Sequence, residues 1–321
     1  MNVSNFFSEN KYIVLPKMSN PKVFLSIDNT YISESFKLYN PFSYKGKLLK
    51  FIAYYFPYFN ILNGSRSNFI DFIENRLSIK IITNIYLATD KEKVIVQLIS
   101  DKKIVGYAKV AICSNGNRKI KHELNAIDIL QVINPIDILD KGMFEGFEYF
   151  ITSEIKGEQR FVSDKKLNSL MKKLERNESF SFEKHPRILQ ISRALDELNN
   201  QKYLKVFKAI IISEELKLVY EHGDFAPWNI MICNNRIRMF DFEYFEENGI
   251  EYFDMIKYYF QIENLLKKTK NSMIIKIILS KLNCNYKNEI LMLFLLKEII
   301  LKKKEGVCVK KEEDLINILT R

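Results

Sequence analysis

Val219-Tyr220-Glu221-His222-Gly223-Asp224-Phe225-Ala226-Pro227-Trp228-Asn229-Ile230-Met231-Ile232-Cys233-Asn234-Asn235-Arg236-Ile237-Arg238-Met239-Phe240-Asp241-Phe242-Glu243 is the stretch on which the reading of this chain turns. Two short apolar runs, Ile230 to Cys233 and Arg236 to Phe240, flank Asn234-Asn235. Asparagine tolerates positive φ, so the Asn-Asn pair predicts the tight two-residue turn of a β-hairpin. With 234 and 235 as the loop, Asn229 stands opposite Phe240 and Asp241 lies one step further out. Asp224, five residues before Asn229, sits on the loop entering that open end. Two carboxylates and an amide oxygen are thereby predicted to converge.

Hard oxygen donors of this kind suit Mg²⁺, which takes a few protein oxygens together with substrate phosphates. A carboxylate outside the metal's coordination shell can accept the proton of an attacking hydroxyl. Any one of the three residues alone would read as an ordinary turn or cap. As a trio they point to a metal or to catalysis, because burying carboxylates without partners is costly.

The segment resembles the catalytic core of the protein-kinase-like fold, in the small-molecule branch that includes aminoglycoside phosphotransferases and choline kinases. His222-Gly223-Asp224 with Asn229 is similar to that branch's His-Gly-Asp-x-x-x-x-Asn loop. Asp241-Phe242-Glu243 stands where the branch has Asp-x-Glu and protein kinases have Asp-Phe-Gly. The resemblance implies an α+β, two-lobed chain with a small antiparallel sheet and one helix in the N-lobe and a mainly helical C-lobe. It implies that Asp224 is the base or orienting carboxylate, that Asn229 and Asp241 hold Mg²⁺, and that His222 braces the loop. ATP is the implied phosphoryl donor.

A kinase also needs a cation for the ATP phosphates, and in this fold a strand Lys held by a helix Glu supplies it. Lys109 lies between apolar neighbours in Gly106-Tyr107-Ala108-Lys109-Val110-Ala111-Ile112, and Glu123 lies on the helical segment that follows. These two are assigned the nucleotide-binding roles. The run Phe150 to Gly157 resembles the linker between lobes, whose backbone meets adenine, so Glu154 and Ile155 are candidate main-chain contacts. One departure is plain: Thr89-Asp90-Lys91 stands where a glycine-rich loop would cover the phosphates.

Outward from the site, residues 78–113 hold three β-like runs, Ile79 to Ala88, Lys93 to Ile99 and Ile104 to Ile112, with turn-like breaks between them. A helix is expected over Lys119 to Leu130, and extended runs near Val132 and over Phe147 to Ser153. After Gly157 helices are expected at about 165–176, 186–200, 202–215, 251–268, 271–282, 287–303 and 311–319. Residues 1–77 read as a helical extension with patterns over Lys45 to Phe56 and Ser67 to Leu77. The first carries Leu48, Leu49, Ile52, Ala53 and Phe56 at helical spacing. It suits docking on the domain, with a membrane surface as the less common use of such a helix. The expected division is an extension (1–77), a nucleotide-binding lobe (78–155) and a catalytic, acceptor-binding lobe (156–321).

The 321 residues include 47% hydrophobic and 27% charged, with Gly (10) and Pro (7) both scarce, which excludes collagen-like and low-complexity chains. Lys and Arg number 49 against 39 acids, a net charge of +10 spread along the sequence. Cys113, Cys233, Cys284 and Cys308 are far apart, without zinc or disulfide spacing, so reduced thiols and a cytoplasmic setting are expected. Neither a signal peptide nor a membrane span is read from the sequence.

The leading functional reading is an ATP- and Mg²⁺-dependent phosphotransferase acting on a hydroxyl of a small molecule: a sugar, amino sugar or amino alcohol. A non-catalytic kinase-like binding module is the second reading, and a charge-driven nucleic-acid binder the third. No nucleic-acid partner is expected. The six carboxylates of residues 241–254, without a Lys or Arg among them, raise an ammonium-bearing acceptor; the competing reading has Asp241 on metal, Asp254 capping the next helix and the rest solvated.

Overall fold

The computed structural model describes residues 3–28, 30–88 and 92–321. The chain divides into two compact units, Met1–Lys156 and Gly157–Arg321.

The first unit is built on one antiparallel sheet of eight strands: β1 (Lys11–Lys17), β2 (Asn20–Ser26), β3 (Ile61–Asn63), β4 (Ile82–Leu87), β5 (Lys93–Ser100), β6 (Lys103–Ala111), β7 (Ile138–Phe144) and β8 (Phe147–Ser153). Their order is β3-β1-β2-β4-β5-β6-β8-β7. The helices are α1 (Ile32–Ser35), α2 (Tyr44–Tyr55), α3 (Asn68–Leu77) and α4 (Ser114–Leu130). The three expected runs between 78 and 113 are β4, β5 and β6. Strand β5 is buried along nearly its whole length and reads as a near-continuous apolar run for that reason, while β4 and β6 are buried over part of theirs. The extended run expected near Val132 is instead a turn, and the strand starts at Ile138.

Before residue 78, both expected helices are present as α2 and α3. The helical reading leaves out β1, β2 and β3, which extend the same sheet. Lys11 to Lys17 and Asn20 to Ser26 pair with each other, and β2 then pairs with β4 through Val23–Tyr86 and Phe24–Ile85. That second pairing spans some sixty residues of sequence, so no local pattern announces it. A second apolar cluster lies there: Ile13, Leu15, Val23, Leu25, Phe36 and Ala53.

The second unit is mainly helical: α5 (Asp164–Leu174), α6 (Pro186–Leu198), α7 (Gln201–Lys208), α8 (Phe253–Gln261), α9 (Asn271–Lys281), α10 (Lys287–Lys304) and α11 (Lys310–Leu319). Its sheets are small. Strands β9 (Glu175–Phe180), β10 (Leu216–Glu221) and β13 (Glu246–Ile250) form one, in the order β13-β10-β9, and β11 (Ile230–Cys233) and β12 (Arg236–Met239) form the hairpin. The expected helix over 202–215 stops at Lys208, and the three-stranded sheet is absent from the sequence reading. Its strands β9 and β13 are polar and half-exposed, which hides the alternation that marks a strand. Helix α10 is the reverse case: its middle, Ile290 to Ile300, is buried nearly all round, charged residues included.

Candidate active site

The β11–β12 hairpin has the expected register: Ile230 pairs with Met239, Met231 with Arg238, Ile232 with Ile237 and Cys233 with Arg236. Asn234 and Asn235 both take left-handed backbone, φ 46° and 66°, as a tight hairpin turn needs. The ladder continues one step beyond the strands, where the Phe240 N–H donates to the Asn229 carbonyl at 3.1 Å. On the outer side, Gly157-Glu158 closes against the hairpin: Glu158 N–H donates to Ile232 O at 3.1 Å and Ile232 N–H to Glu158 O at 2.9 Å.

The loop ahead of the hairpin is held from three directions. His222 Nε2 lies 3.0 Å from the Phe240 carbonyl, so the ring carries its proton on that nitrogen and ties the loop to the end of β12. Its imidazole is buried against the rings of Phe242 and Phe225. Asp254, on α8, accepts from the backbone N–H of His222 at 2.7 Å and of Gly223 at 3.0 Å. Asp254 thus secures the loop and makes no cap on its own helix, contrary to the capping expectation. Gly223 is at φ +80°, and a Cβ there would meet the Tyr244 carbonyl oxygen at 2.0 Å, so only glycine fits.

Asp224 and Asn229 come together. The Asn229 amide donates to the Asp224 carbonyl at 2.9 Å and to Asp224 Oδ2 at 3.0 Å. The amide NH₂ of Asn229 is thereby committed to Asp224. The other carboxylate oxygen of Asp224, Oδ1, lies 3.4 Å from Lys257 Nζ. Asp241 follows directly on Phe240, at φ 70°, an accessible conformation for aspartate and one that bends the chain out of the strand. Because Phe240 is bonded both to Asn229 and to His222, Asp241 emerges beside the loop that carries Asp224. Among the described residues no three His, Cys, Asp or Glu side chains converge as a self-sufficient metal cluster. One or two carboxylates and an amide oxygen instead match an ion that completes its shell with water and phosphate.

Beneath Asp224 lies a buried charge network that the sequence reading missed. Lys257 donates to Glu298 Oε2 at 2.8 Å. Lys297 reaches Glu298 Oε1 at 3.1 Å, Glu221 Oε1 at 3.2 Å and the Gly223 carbonyl at 3.4 Å. Burial would depress the Lys257 ammonium, but Glu298 and then Asp224 outweigh it, and its pKa is raised. Burial likewise works against the Glu298 carboxylate, and Lys257 and Lys297 overcome it, leaving its pKa low. The signal was present: Asp254 and Lys257 interrupt Phe253 to Phe260, and Lys297-Glu298 interrupts Ile290 to Leu301. Charges inside an all-round apolar helix must find one another.

In the first unit Lys109 sits on β6 between β5 and β8, opposite Ile95 and Phe150. Its ammonium meets Glu123 Oε1, from α4, with both side chains buried. A second lysine, Lys93, buried at the start of β5, lies 3.9 Å from Glu123 Oε2. The sequence reading passed over it because it opens a strand beside a turn. Glu154 and Ile155 lie half-buried in the extended stretch after β8. The Thr89-Asp90-Lys91 turn lies outside the described residues.

The acidic run 241–254 is partly consumed by structure. Glu246 pairs with Arg187 at 2.5 Å, Glu251 accepts from the Tyr286 hydroxyl at 2.9 Å, and Asp254 is committed to the loop. Trp228, half-buried, offers its carbonyl to Gln159 at 2.8 Å.

No protein-family model matches the chain, and no curated protein matches it in sequence. Solved structures do match in shape. A candidate fructosamine-3-kinase from Thermobifida fusca YX-ER1 aligns over 79% of this chain and 97% of its own, at 9% identity and a TM-score of 0.50. A candidate fructosamine-3-kinase from Haemophilus somnus 129PT covers the same shares at 11% identity and a TM-score of 0.48. An ADP-bound aminoglycoside phosphotransferase covers 77% and 95%, at 15% identity and a TM-score of 0.45. The likeness in fold rests on the first of these. It agrees with the mixed α/β architecture, the large antiparallel sheet and the helical second unit. The chain therefore has a mixed α/β, kinase-like fold.

Proposed function

We propose that this protein is a phosphotransferase that moves the γ-phosphoryl group of ATP, with Mg²⁺, to a hydroxyl of a small molecule. The observation that carries the reading is the double tie at Phe240. Its N–H to Asn229 and its carbonyl to His222 bring residue 241 beside residues 224 and 229. Phosphoryl transfer is largely positioning and electrostatics, so few groups suffice.

In this reading Asp224 accepts the proton of the acceptor hydroxyl as the hydroxyl oxygen attacks the γ-phosphorus and the bond from that phosphorus to the β–γ bridging oxygen breaks, releasing ADP. The Asn229 amide fixes one carboxylate oxygen and Lys257 stands at the other, so the carboxylate has a single orientation. Asn229 Oδ1 and the Asp241 carboxylate would hold Mg²⁺, which would neutralise charge on the phosphate oxygens. Lys109, aimed by Glu123, holds donor phosphates, and the Glu154–Ile155 backbone meets the base. A cytoplasmic setting suits the free cysteines, all four unpaired with one another.

Coupled ADP release tests this directly, screened over sugars, amino sugars, amino alcohols and aminoglycosides, with wild type beside Asp224→Ala. Acceptor-dependent release by wild type, lost in the variant and on chelation of Mg²⁺, is the expected result. Equal and negligible turnover in both proteins, with nucleotide still bound, would favour the non-catalytic module. No acceptor class stands out from the geometry, since Glu246, Glu251 and Asp254 of the acidic run already have protein partners.

A further inference from the structure

Helix α2 carries a second, unrelated feature. Ser43 caps it, accepting from the Gly46 N–H at 3.1 Å, and Ala53, fully buried, anchors it on the Ile13–Leu15–Val23–Leu25 cluster together with Leu49 and Tyr54. The opposite face has no such cover. Tyr44, Leu48, Phe51, Ile52 and Tyr55 fall within an arc of about 100° at 3.6 residues per turn, and all five are exposed, Phe51 at 57% and Tyr55 at 59%. Phe51 and Tyr55 meet across one turn, 4.7 Å between ring centroids, and Tyr55 also meets the edge of Tyr54 at 5.0 Å. Phe56 and Tyr58 continue the exposed aromatic surface past the helix end. A contiguous apolar face of this size on a folded chain marks a contact surface.

Charge decides what contacts it. On the helical wheel Lys45 borders one edge of the apolar arc and Lys47 the other. From residue 35 to residue 70 the sequence has five cations (Lys37, Lys45, Lys47, Lys50, Arg66) and no Asp or Glu. Lys37 pairs with Glu34 and Arg66 with Asp71 and Glu74, so the positive charge of this face is that of Lys45, Lys47 and Lys50 on the helix itself. A second copy of the same face would bring like charges together, which disfavours self-association. Aromatic and aliphatic side chains flanked by lysines, on a helix lying flat, suit the headgroup boundary of an anionic bilayer. The rings enter the interface while the lysine stems reach back to lipid phosphates.

We propose that the exposed face of α2, with Phe56 and Tyr58, docks this protein peripherally on anionic membranes. The proposal is independent of the phosphotransferase reading. No described helix is long and apolar enough to cross a bilayer, so the contact is made in the plane of the surface.

Co-sedimentation of the full chain tests it, with phosphatidylcholine vesicles and with vesicles in which about a quarter of the lipid is phosphatidylglycerol. Binding to the anionic vesicles, weakening as salt rises, is expected. Phe51→Ser with Tyr55→Ser should cut the partition about tenfold or more, with an unchanged circular dichroism spectrum. Lys45→Gln with Lys47→Gln should cut it about thirtyfold, from roughly 1 kcal/mol per lysine. Lys303→Gln with Lys304→Gln, which removes the same charge from α10, should leave it unchanged. Failure of the wild type to sediment with anionic vesicles would overturn the proposal. So would an undiminished partition in the aromatic variant, or an equal loss in the α10 control. A wild-type dimer that the aromatic variant renders monomeric would assign the face to a second copy instead.

Discussion

Lys257 Nζ stands 3.4 Å from Asp224 Oδ1 and 2.8 Å from Glu298 Oε2, with 7% of the lysine side chain reaching solvent. A buried ammonium between two carboxylates is a rigid support, because neither partner can leave without stranding a charge. In the proposed chemistry Lys257 is a positioning residue: it acts through Asp224.

Lys257→Met should cost about 3–5 kcal/mol of stability, since it leaves Glu298 without one of its two cations. The double variant Lys257→Met/Glu298→Met replaces the pair by apolar side chains of similar bulk and should regain most of that loss. Turnover should stay low in both, because Asp224 has lost its lysine. Urea denaturation beside steady-state kinetics separates the two effects. Recovery of kcat along with stability would make the lysine purely structural.

Asp224→Asn should lower kcat by orders of magnitude, about 10²–10⁴-fold for the loss of a positioned base, with nucleotide affinity nearly intact. Asp241→Asn should behave differently, weakening nucleotide binding in the presence of Mg²⁺ and not in its absence. Calorimetric titration of ATP with and without the ion distinguishes them. Full activity in the Asp241 variant would refute its metal role.

Gly223→Ala should destabilise the chain by at least about 1–2 kcal/mol from the left-handed backbone alone. The clash of the new Cβ with the Tyr244 carbonyl, 2.0 Å away as the loop stands, adds to that. A fall in the urea midpoint of unfolding with an unchanged slope is the expected signature. A midpoint equal to wild type would mean the loop has another conformation.

Asp254 gives a pH dependence with a definite sign. Burial, and next the neighbouring Glu221, push its carboxyl up to about 7, against the lowering effect of the His222 and Gly223 amides. Between about pH 4 and pH 7 the folded chain keeps a proton that the unfolded chain has released. This group's contribution to stability is therefore lost as pH rises through that window. Subtracting the unfolding free energy of Asp254→Asn from that of wild type isolates it: the difference should decline from pH 4 to pH 7. A flat difference would show that Asp254 is ionised throughout.

The hairpin and its loop were legible because they are local. Asn234-Asn235 specifies the turn, the turn specifies the register, and the register carries Asn229 and Asp241 to one end within a dozen residues. Lys109 was legible for a related reason, since a lysine inside an apolar strand demands a partner and Glu123 lies one helix away. The helical propensity of α2 and α3 was likewise written in their periodicity.

What only the tertiary structure decided is where distant segments meet. Strands β1 and β2 join the sheet through a pairing to β4 across α1 to α3, and that loop closure leaves no periodic trace. Lys257, Glu298 and Lys297 come to Asp224 and Glu221 from two helices whose sequences say that their charges are buried but not beside what. The exposure of Phe51 and Tyr55 has the same origin. An amphipathic helix announces that it has an apolar face, and only the fold shows that Leu49 and Ala53 take the core and leave the rest to solvent.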